Sequence, residues 1–236
     1  MVTRWILCVG MAVLFLAALA VPSPVAAKAQ FGIAGFGGYE SYSMSDVNDE
    51  LIDEVNADPV VIAGGYQMDD ISGGWGYGGG LRIITSEKIV IWIDYNRLAA
   101  SSDLSIQGAT FFVETPANSY LGTVAYLFPS ASRARIGLAG GFGYYSSAGS
   151  VGFDVSGSSA AVDLEGNGFG FHGLVVLDAT LSPAMHAEIG AGYRYAKTSD
   201  LTVDGVTAVT LSGEEASLDW SGFMSRVGLA FYFGNK

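Results

Sequence analysis

The chain has 236 residues, a formal net charge of −12 and only 14% charged side chains, against about 25% in an average soluble domain. Hydrophobic residues make up 50% of it, aromatic residues 12%, and 33 residues are glycine. The negative charge excludes nucleic acid as an expected partner, because nucleic acids are bound by basic surfaces. The single cysteine, Cys8, excludes an internal disulfide and a cysteine metal site.

The start of the chain has the pattern of a cleaved secretory signal. An uncharged apolar run follows Arg4 and ends in small residues, including Val25 and Ala27, that suit a signal peptidase. An N-terminal membrane anchor is the alternative, but the apolar run is slightly shorter than the ~20 residues that a spanning helix needs. We therefore predict a signal peptide over residues 1–27 and a folded domain over 28–236.

Eight segments after the signal predict strands, each long enough to cross a bilayer core, which takes about 9–11 tilted residues. They cover 30–43, 73–85, 88–99, 118–128, 134–147, 168–181, 186–198 and 217–233. Short turns near Ser86, Ser130 and Ser182 alternate with long polar stretches, which are interpreted as loops. The long stretches are 45–72, 100–117, 148–167 and 200–216. Short periplasmic turns and longer extracellular loops are typical of outer-membrane barrels.

The first long stretch predicts a short amphipathic helix lying over the outer mouth of the barrel. Ser45 is the predicted N-cap. Val47, Leu51 and Val55 recur at four-residue spacing, which favours one apolar helical face. Pro59 is predicted to follow the end of this helix.

The same stretch, residues 45–72, holds eight acidic residues and no basic one. Two interpretations stay open: a divalent-cation site that bridges to lipopolysaccharide phosphates, and a solvated acidic face. The spacing is not that of an EF-hand, because the sixth position counted from Asp46 is Leu51 and not glycine.

Alternation within the strands places large apolar side chains on one face and small, mostly uncharged side chains on the other. In the third strand, Ile91 and Ile93 alternate with Trp92 and Asp94. A soluble barrel would carry many charges on its polar face, but here that face is mostly glycine, alanine and serine. Such a face suits the crowded interior of an eight-stranded barrel, and the apolar face then meets lipid. We predict an all-β fold: a transmembrane up-and-down antiparallel β-barrel of eight strands, closed because unpaired backbone groups are costly in lipid.

Aromatic residues concentrate near both ends of the predicted strands. Two aromatic girdles are expected where a barrel meets the two membrane–water interfaces. The alternative is a set of core aromatics in a soluble β-sandwich. The predicted girdle consists of Trp75, Tyr77, Tyr95, Tyr144, Tyr193 and Tyr195 near the long loops, and Phe231 and Phe233 near the short turns.

Charged residues on the inward face predict an ionic network inside the barrel. Buried charges must pair, since an isolated one is very costly. The network is expected to be a structural plug, and the alternative is the gate of a narrow pore whose pairs exchange partners. Its predicted members are Arg82, Arg135, Arg194 and Arg226 with Glu40, Asp94, Asp178 and Glu188.

No motif predicts catalysis or a cofactor. The stretch "GWGYGG" from Gly74 to Gly79 has the spacing of a dinucleotide loop, but it is followed by a strand and not by the required helix. His172 and His186 are expected inside the barrel at different heights, without the clustered acid and nucleophile that a hydrolase needs. Two separated histidines do not make a metal site either. We expect no enzyme, no cofactor and no metal.

The chain resembles the small OmpA/OmpX-type outer-membrane β-barrels of Gram-negative bacteria over nearly all of residues 30–233. The resemblance depends on the signal, the eight alternating strands and the final strand "MSRVGLAFYF". That strand is similar to the signal read by the outer-membrane insertion machinery, although Phe233 is followed here by three further residues. The resemblance implies a monomer in the cell outer membrane with a structural, surface-interaction or porin-like role, and lipid and lipopolysaccharide as its surroundings. A lipid-modifying enzyme is the least favoured role.

Overall fold

The computed structural model describes residues 29–155, 158–210 and 213–233, so the predicted signal peptide lies outside the described residues. Twelve strands occur in these ranges. They are β1 (Gln30–Ser41), β2 (Gly73–Ile84), β3 (Ile89–Leu98), β4 (Ser101–Ile106), β5 (Ala109–Glu114), β6 (Ala117–Leu127), β7 (Ala134–Val155), β8 (Ser158–Ser182), β9 (Met185–Val203), β10 (Val206–Thr207), β11 (Leu218–Asp219) and β12 (Gly222–Phe233).

Eight of these strands pair into a closed antiparallel ring. The order around the ring is β1, β2, β3, β6, β7, β8, β9 and β12. The ring closes where β12 pairs with β1, with Phe31 opposite Phe233 on one side and Ile83 of β2 on the other. The predicted eight-stranded up-and-down barrel is confirmed, and all eight predicted strands are present.

The two faces of the wall have opposite chemistry. In β3 the inward residues Val90, Trp92 and Asp94 are buried, whereas the alternating Ile93 and Tyr95 are exposed. The outward surface is therefore a continuous apolar band, and its exposed residues are large aliphatic and aromatic side chains from all eight ring strands. A surface of this kind suits a lipid environment, as the alternation of the sequence predicts.

Gly80 of β2 lies on the inward face, where neighbouring groups occupy the space of a side chain. A Cβ on Gly80 would overlap the carbonyl oxygen of Ile93 and the carboxylate of Asp94. A Cβ on Gly35, in the adjacent β1, would meet no atom within 4 Å. The wall therefore leaves no room for a side chain at Gly80, whereas Gly35 has open space beside it.

Gly80→Ala is therefore expected to lower the free energy of unfolding by about 1–3 kcal/mol, the usual cost of overpacking. Gly35→Ala is the matched control, and it should change the unfolding midpoint in urea little. Equal midpoints for the two variants would contradict the close approach at Gly80.

Above the ring, a hydrogen-bonded sheet replaces two of the predicted loops. β7 and β8 stay paired from Ala134 opposite Ala179 to Val155 opposite Ser158. The β4–β5 hairpin joins this sheet through β5, which pairs with the far end of β7. The predictions of loops over 100–117 and 148–167 are wrong for most of their length, whereas 200–216 is strand only at its start, to Val203, and over Val206–Thr207. Their polar residues alternate with apolar ones along strands that rise out of the barrel.

The first long connection is helical, with one correction to the prediction, at its N-cap. It comprises α1 (Ser45–Val47), a π-helical turn (Asn48–Ile52), α2 (Asp53–Ala57) and α3 (Pro59–Gly64). Met44, with φ of 46°, occupies the N-cap position in place of Ser45. No helix of the described residues is long and apolar enough to cross a membrane.

Pro59 begins a helix and does not merely follow one. It takes the first position of α3, where a proline loses no helical hydrogen bond. The carboxylate of Asp58 caps α3 by accepting a hydrogen bond from the backbone N–H of Val60 at 2.8 Å.

A hydrophobic cluster, here called the lid core, joins the helical connection to the upper ends of the strands. We use "upper" for the end of the barrel that carries the long connections. Val47 and Ile52 are buried in the lid core, while Leu51 and Val55 pack against it. Trp220, 0% exposed, is its largest fully buried side chain. The helical segment therefore lies over the upper opening, as its apolar spacing predicts.

Candidate functional site

The lumen holds charged side chains in three groups. We call Glu40 and Arg194 the upper pair. The central cluster consists of Arg82, Asp94, Glu188 and Arg226, and the lower cluster of Arg135, Asp178 and His186. All the charged residues predicted to face inward take part in these groups.

The central cluster crosses the lumen. Arg82 Nη1 of β2 lies 2.5 Å from Asp94 Oδ1 on the neighbouring β3, and its Nη2 lies 3.0 Å from Glu188 Oε2 on β9. Arg226 of β12 contacts the same two acids, with Nη1 2.9 Å from Asp94 Oδ2 and Nη2 3.5 Å from Glu188 Oε2. Each acid is shared by two arginines, so the four charges balance and link four strands.

Aromatic rings inside the lumen flank the arginines of the central cluster. The Trp92 ring lies 5.0 Å from Arg82 Cζ and 4.4 Å from Arg226 Cζ. The Phe36 ring lies 4.4 Å from Arg226 Cζ. These are cation–π distances, and such contacts are stronger where water is excluded. The sequence interpretation missed this role, although both rings have the same inward parity as the charges.

The upper pair connects the lumen to the lid core. Arg194 Nη1 donates to Glu40 Oε2, and Arg194 Nε donates to the carbonyl oxygen of Trp220 at 2.8 Å. Glu40 Oε1 also accepts a hydrogen bond from Asn96 Nδ2 at 2.9 Å. The ring of Tyr42 lies 5.6 Å from Arg194 Cζ. The upper charges are thus held by the residues that close the upper opening.

Tyr42 lies just beyond the end of β1, outside the spanning strands. Burial, reinforced by the negative charge of Glu40, raises the pKa of its hydroxyl above the ordinary value. The phenol therefore stays neutral beside the upper pair.

The lower cluster brings together residues near the short turns. Arg135 Nη2 donates to Asp178 Oδ1 at 2.9 Å, and His186 Nδ1 lies 3.0 Å from Asp178 Oδ2. The His186 ring lies edge-on to Tyr232, with centroids 4.8 Å apart. The pairing of His186 with Asp178 is not evident from sequence spacing, because register across β8 and β9 creates it.

The two histidines have different hydrogen-bond partners among the described residues. His172 Nε2 lies 2.9 Å from Thr123 Oγ1, whereas His186 contacts the carboxylate of Asp178. Neither ring has both an acid and a hydroxyl as hydrogen-bond partners within the described part of the chain. A serine-type hydrolytic triad needs both beside the histidine.

The space left between the central and lower clusters is small. A cavity of about 10 Å³ is lined by residues that include Trp92, Asp178, Glu188, Arg226 and Tyr232. That volume suits about one water molecule, which needs roughly 10–15 Å³. The charged side chains and rings therefore fill the lumen at this level.

Two acids of the helical connection have structural partners. Asp46 Oδ2 accepts hydrogen bonds from the backbone N–H and the hydroxyl of Ser217, at 2.9 and 2.7 Å, and Asp58 caps α3. The described residues contain no group of three or more acids and histidines placed to hold a metal ion.

The residues of the predicted girdle lie on the outward face. Seven of the eight are exposed, and Tyr144 is half-exposed. Neighbouring rings touch along the upper edge: Phe171 stacks on Tyr195 with centroids 5.2 Å apart, and Tyr95 lies 5.6 Å from Tyr120.

The fold and the lumen define a class: an eight-stranded antiparallel β-barrel with an apolar exterior and a filled, charged interior. No protein-family profile matches the chain, and no curated protein sequence matches it. Among solved structures it is similar to Neisserial surface protein A, with 16% identity, a TM-score of 0.43, and coverage of 87% of this chain and 99% of that one.

Two further similar structures are outer-membrane proteins of Pseudomonas aeruginosa. The protein OprG has 11% identity and a TM-score of 0.44, with 88% of this chain and 95% of that chain covered. The N-terminal β-barrel domain of OprF has 13% identity and a TM-score of 0.36, with 86% and 97% covered.

Proposed function

We propose that this chain is an outer-membrane β-barrel with a structural and surface-interaction role, whose lumen is a plug and not a conducting pore. In this proposal the apolar band contacts lipid, the short turns face the periplasm, and the long connections face outside. The last strand, β12, is the segment that the insertion machinery recognises, and the barrel acts as a monomer.

The observation that carries the proposal is the central cluster. Arg82 and Glu188 stand on strands far apart in the ring, and their ion pair spans the lumen. Arg226 and Asp94 complete the cluster, so that two positive and two negative charges balance and each charged side chain has a partner of opposite sign. Because an unpaired charge inside a dry barrel is costly, opening the lumen would require breaking several of these pairs together.

The conductance of the purified barrel in planar lipid bilayers tests the plug. Wild-type protein is expected to give no conductance above background, because the cavity below the central cluster holds about one water molecule. Discrete, reproducible conductance steps from wild-type protein would contradict the plug and favour the small-pore alternative.

Placement in the membrane has an independent test. The folded barrel should insert into phospholipid vesicles, and unboiled samples should migrate differently from boiled samples on a gel, because the closed ring resists detergent. A sample that neither inserts nor shifts would contradict the membrane proposal itself, whatever its conductance.

A further inference from the structure

One arginine lies on the outer face of the barrel and not in the lumen. Arg97 stands one residue before the upper end of β3, on the same face as the exposed residues Ile93 and Tyr95. It is half-buried. A charge on the face that meets lipid is costly at mid-membrane but much less so near the interface.

The strand neighbours of Arg97 are polar and aromatic side chains. In the ladder it lies between Tyr77 of β2 and Asn118 of β6. Its Nη1 donates to Asn118 Oδ1 at 3.0 Å, and the hydroxyl of Tyr95 donates to the same oxygen at 2.7 Å. Tyr77 and Tyr120 are both exposed beside it. This platform belongs to the upper aromatic edge of the barrel.

The guanidinium keeps most of its hydrogen-bonding capacity. Arginine has five N–H donors, and the bond to Asn118 is the one side-chain hydrogen bond that Arg97 makes within the described residues. It forms no ion pair there, whereas every lumen arginine has an acidic partner. Lys197, another outward-facing cation near this end, has Asp219 as its register partner but likewise forms no ion pair within the described residues. Arg97 is therefore the arginine of the described ring that lacks an anion.

We infer that Arg97, positioned by Asn118 and flanked by Tyr77, Tyr95 and Tyr120, binds a phosphate group of an outer-leaflet lipid. The inference rests on the proposed membrane orientation, which places the upper girdle at the outer interface. A planar guanidinium matches phosphate oxygens with paired hydrogen bonds. Tyrosine rings favour the interfacial depth at which lipid headgroups lie. The occupant is a membrane lipid and not free phosphate, because the site opens sideways from the barrel wall.

Retention of lipid A by the reconstituted full chain tests this inference. Wild-type barrel in phosphatidylcholine vesicles is titrated with diphosphorylated lipid A, with dephosphorylated lipid A and with inorganic phosphate. The phosphorylated lipid is expected to bind at least about tenfold more tightly than the dephosphorylated one, given the strength of charge-assisted hydrogen bonds. Inorganic phosphate is expected to compete weakly.

Arg97→Gln is expected to abolish this preference for the phosphorylated lipid, while Arg133→Gln should keep it. Arg133 is an exposed arginine of a short turn at the opposite end of the barrel. Its replacement by glutamine removes the same charge as Arg97→Gln, but far from the proposed site. Equal preference in Arg97→Gln and wild type would overturn the site, and full competition by inorganic phosphate would overturn the lipid as its occupant.

Insertion into the vesicles is measured first, so that a failure of the proposed membrane function can be distinguished from a failure of the lipid site. Failure of wild type to insert contradicts the proposed function and the lipid site with it. Insertion of both variants with unchanged lipid preference contradicts the lipid site alone.

Discussion

Replacing Arg82 with alanine is expected to lower the free energy of unfolding by about 3–5 kcal/mol, the usual cost of breaking a buried ion pair from one side. Arg82 is 0% exposed and contacts both Asp94 and Glu188. Its loss leaves two carboxylates sharing only Arg226. Unfolding in urea in lipid vesicles, followed by tryptophan fluorescence, measures the change.

Arg133→Ala is the control for the Arg82 prediction. Arg133 is an exposed turn residue, and removal of an exposed charge is expected to change stability by less than about 1 kcal/mol. A wild-type unfolding curve for Arg82→Ala would show that the central cluster does not hold the ring together.

Trp220→Ala is expected to cost a similar amount, about 3–5 kcal/mol, through a cavity in the lid core. Trp220 is fully buried, packs edge-on against Tyr42 with centroids 5.0 Å apart, and donates from Nε1 to Ser147 Oγ at 3.0 Å. The hydrogen bond from Arg194 goes to the backbone carbonyl, so the variant keeps that acceptor. The same urea measurement applies.

Trp75→Ala is the matched control for the tryptophan. Trp75 is 70% exposed on the outward face, so its removal creates no cavity and is expected to cost less. The conductance of Trp220→Ala also shows whether the lid core, in addition to stabilising the fold, closes the lumen. Since the central cluster stays intact, Trp220→Ala should still show no conductance, and channel openings in this variant would place the seal in the lid core.

The sequence predicts the barrel wall well because strand alternation has a period of two and is read locally. Ile93 and Asp94 are assigned to opposite faces by parity alone, and the structure places them there. Parity also assigns Arg82 inward. It does not specify which acid Arg82 contacts, because that depends on how far each strand is shifted around the ring.

The parts that sequence reasoning missed depend on strand pairing and backbone turns that the parity of a single strand does not specify. Residues 148–155 belong to a long stretch that is interpreted as a loop from the sequence, yet they form a strand because β5 and β8 pair with them on both sides. The contact of His186 with Asp178 comes from the turn between β8 and β9. Ser45 loses its predicted cap position because Met44 makes the turn into the helix with a positive φ.

The upward extension of β7 and β8 has a mechanical consequence. From Ala148, the first residue beyond its pairing with β6, to Val155, β7 extends roughly 25 Å at about 3.3 Å per residue, and its ladder with β8 continues from the ring without a shift in register. The two arms of the extension therefore continue directly into the barrel wall. A pull on the upper end of this hairpin moves β7 and β8 together and loads their ladders with β6 and β9 in shear, so that many hydrogen bonds share the force. Force applied at the upper end of the hairpin is therefore transmitted to the neighbouring strands of the barrel.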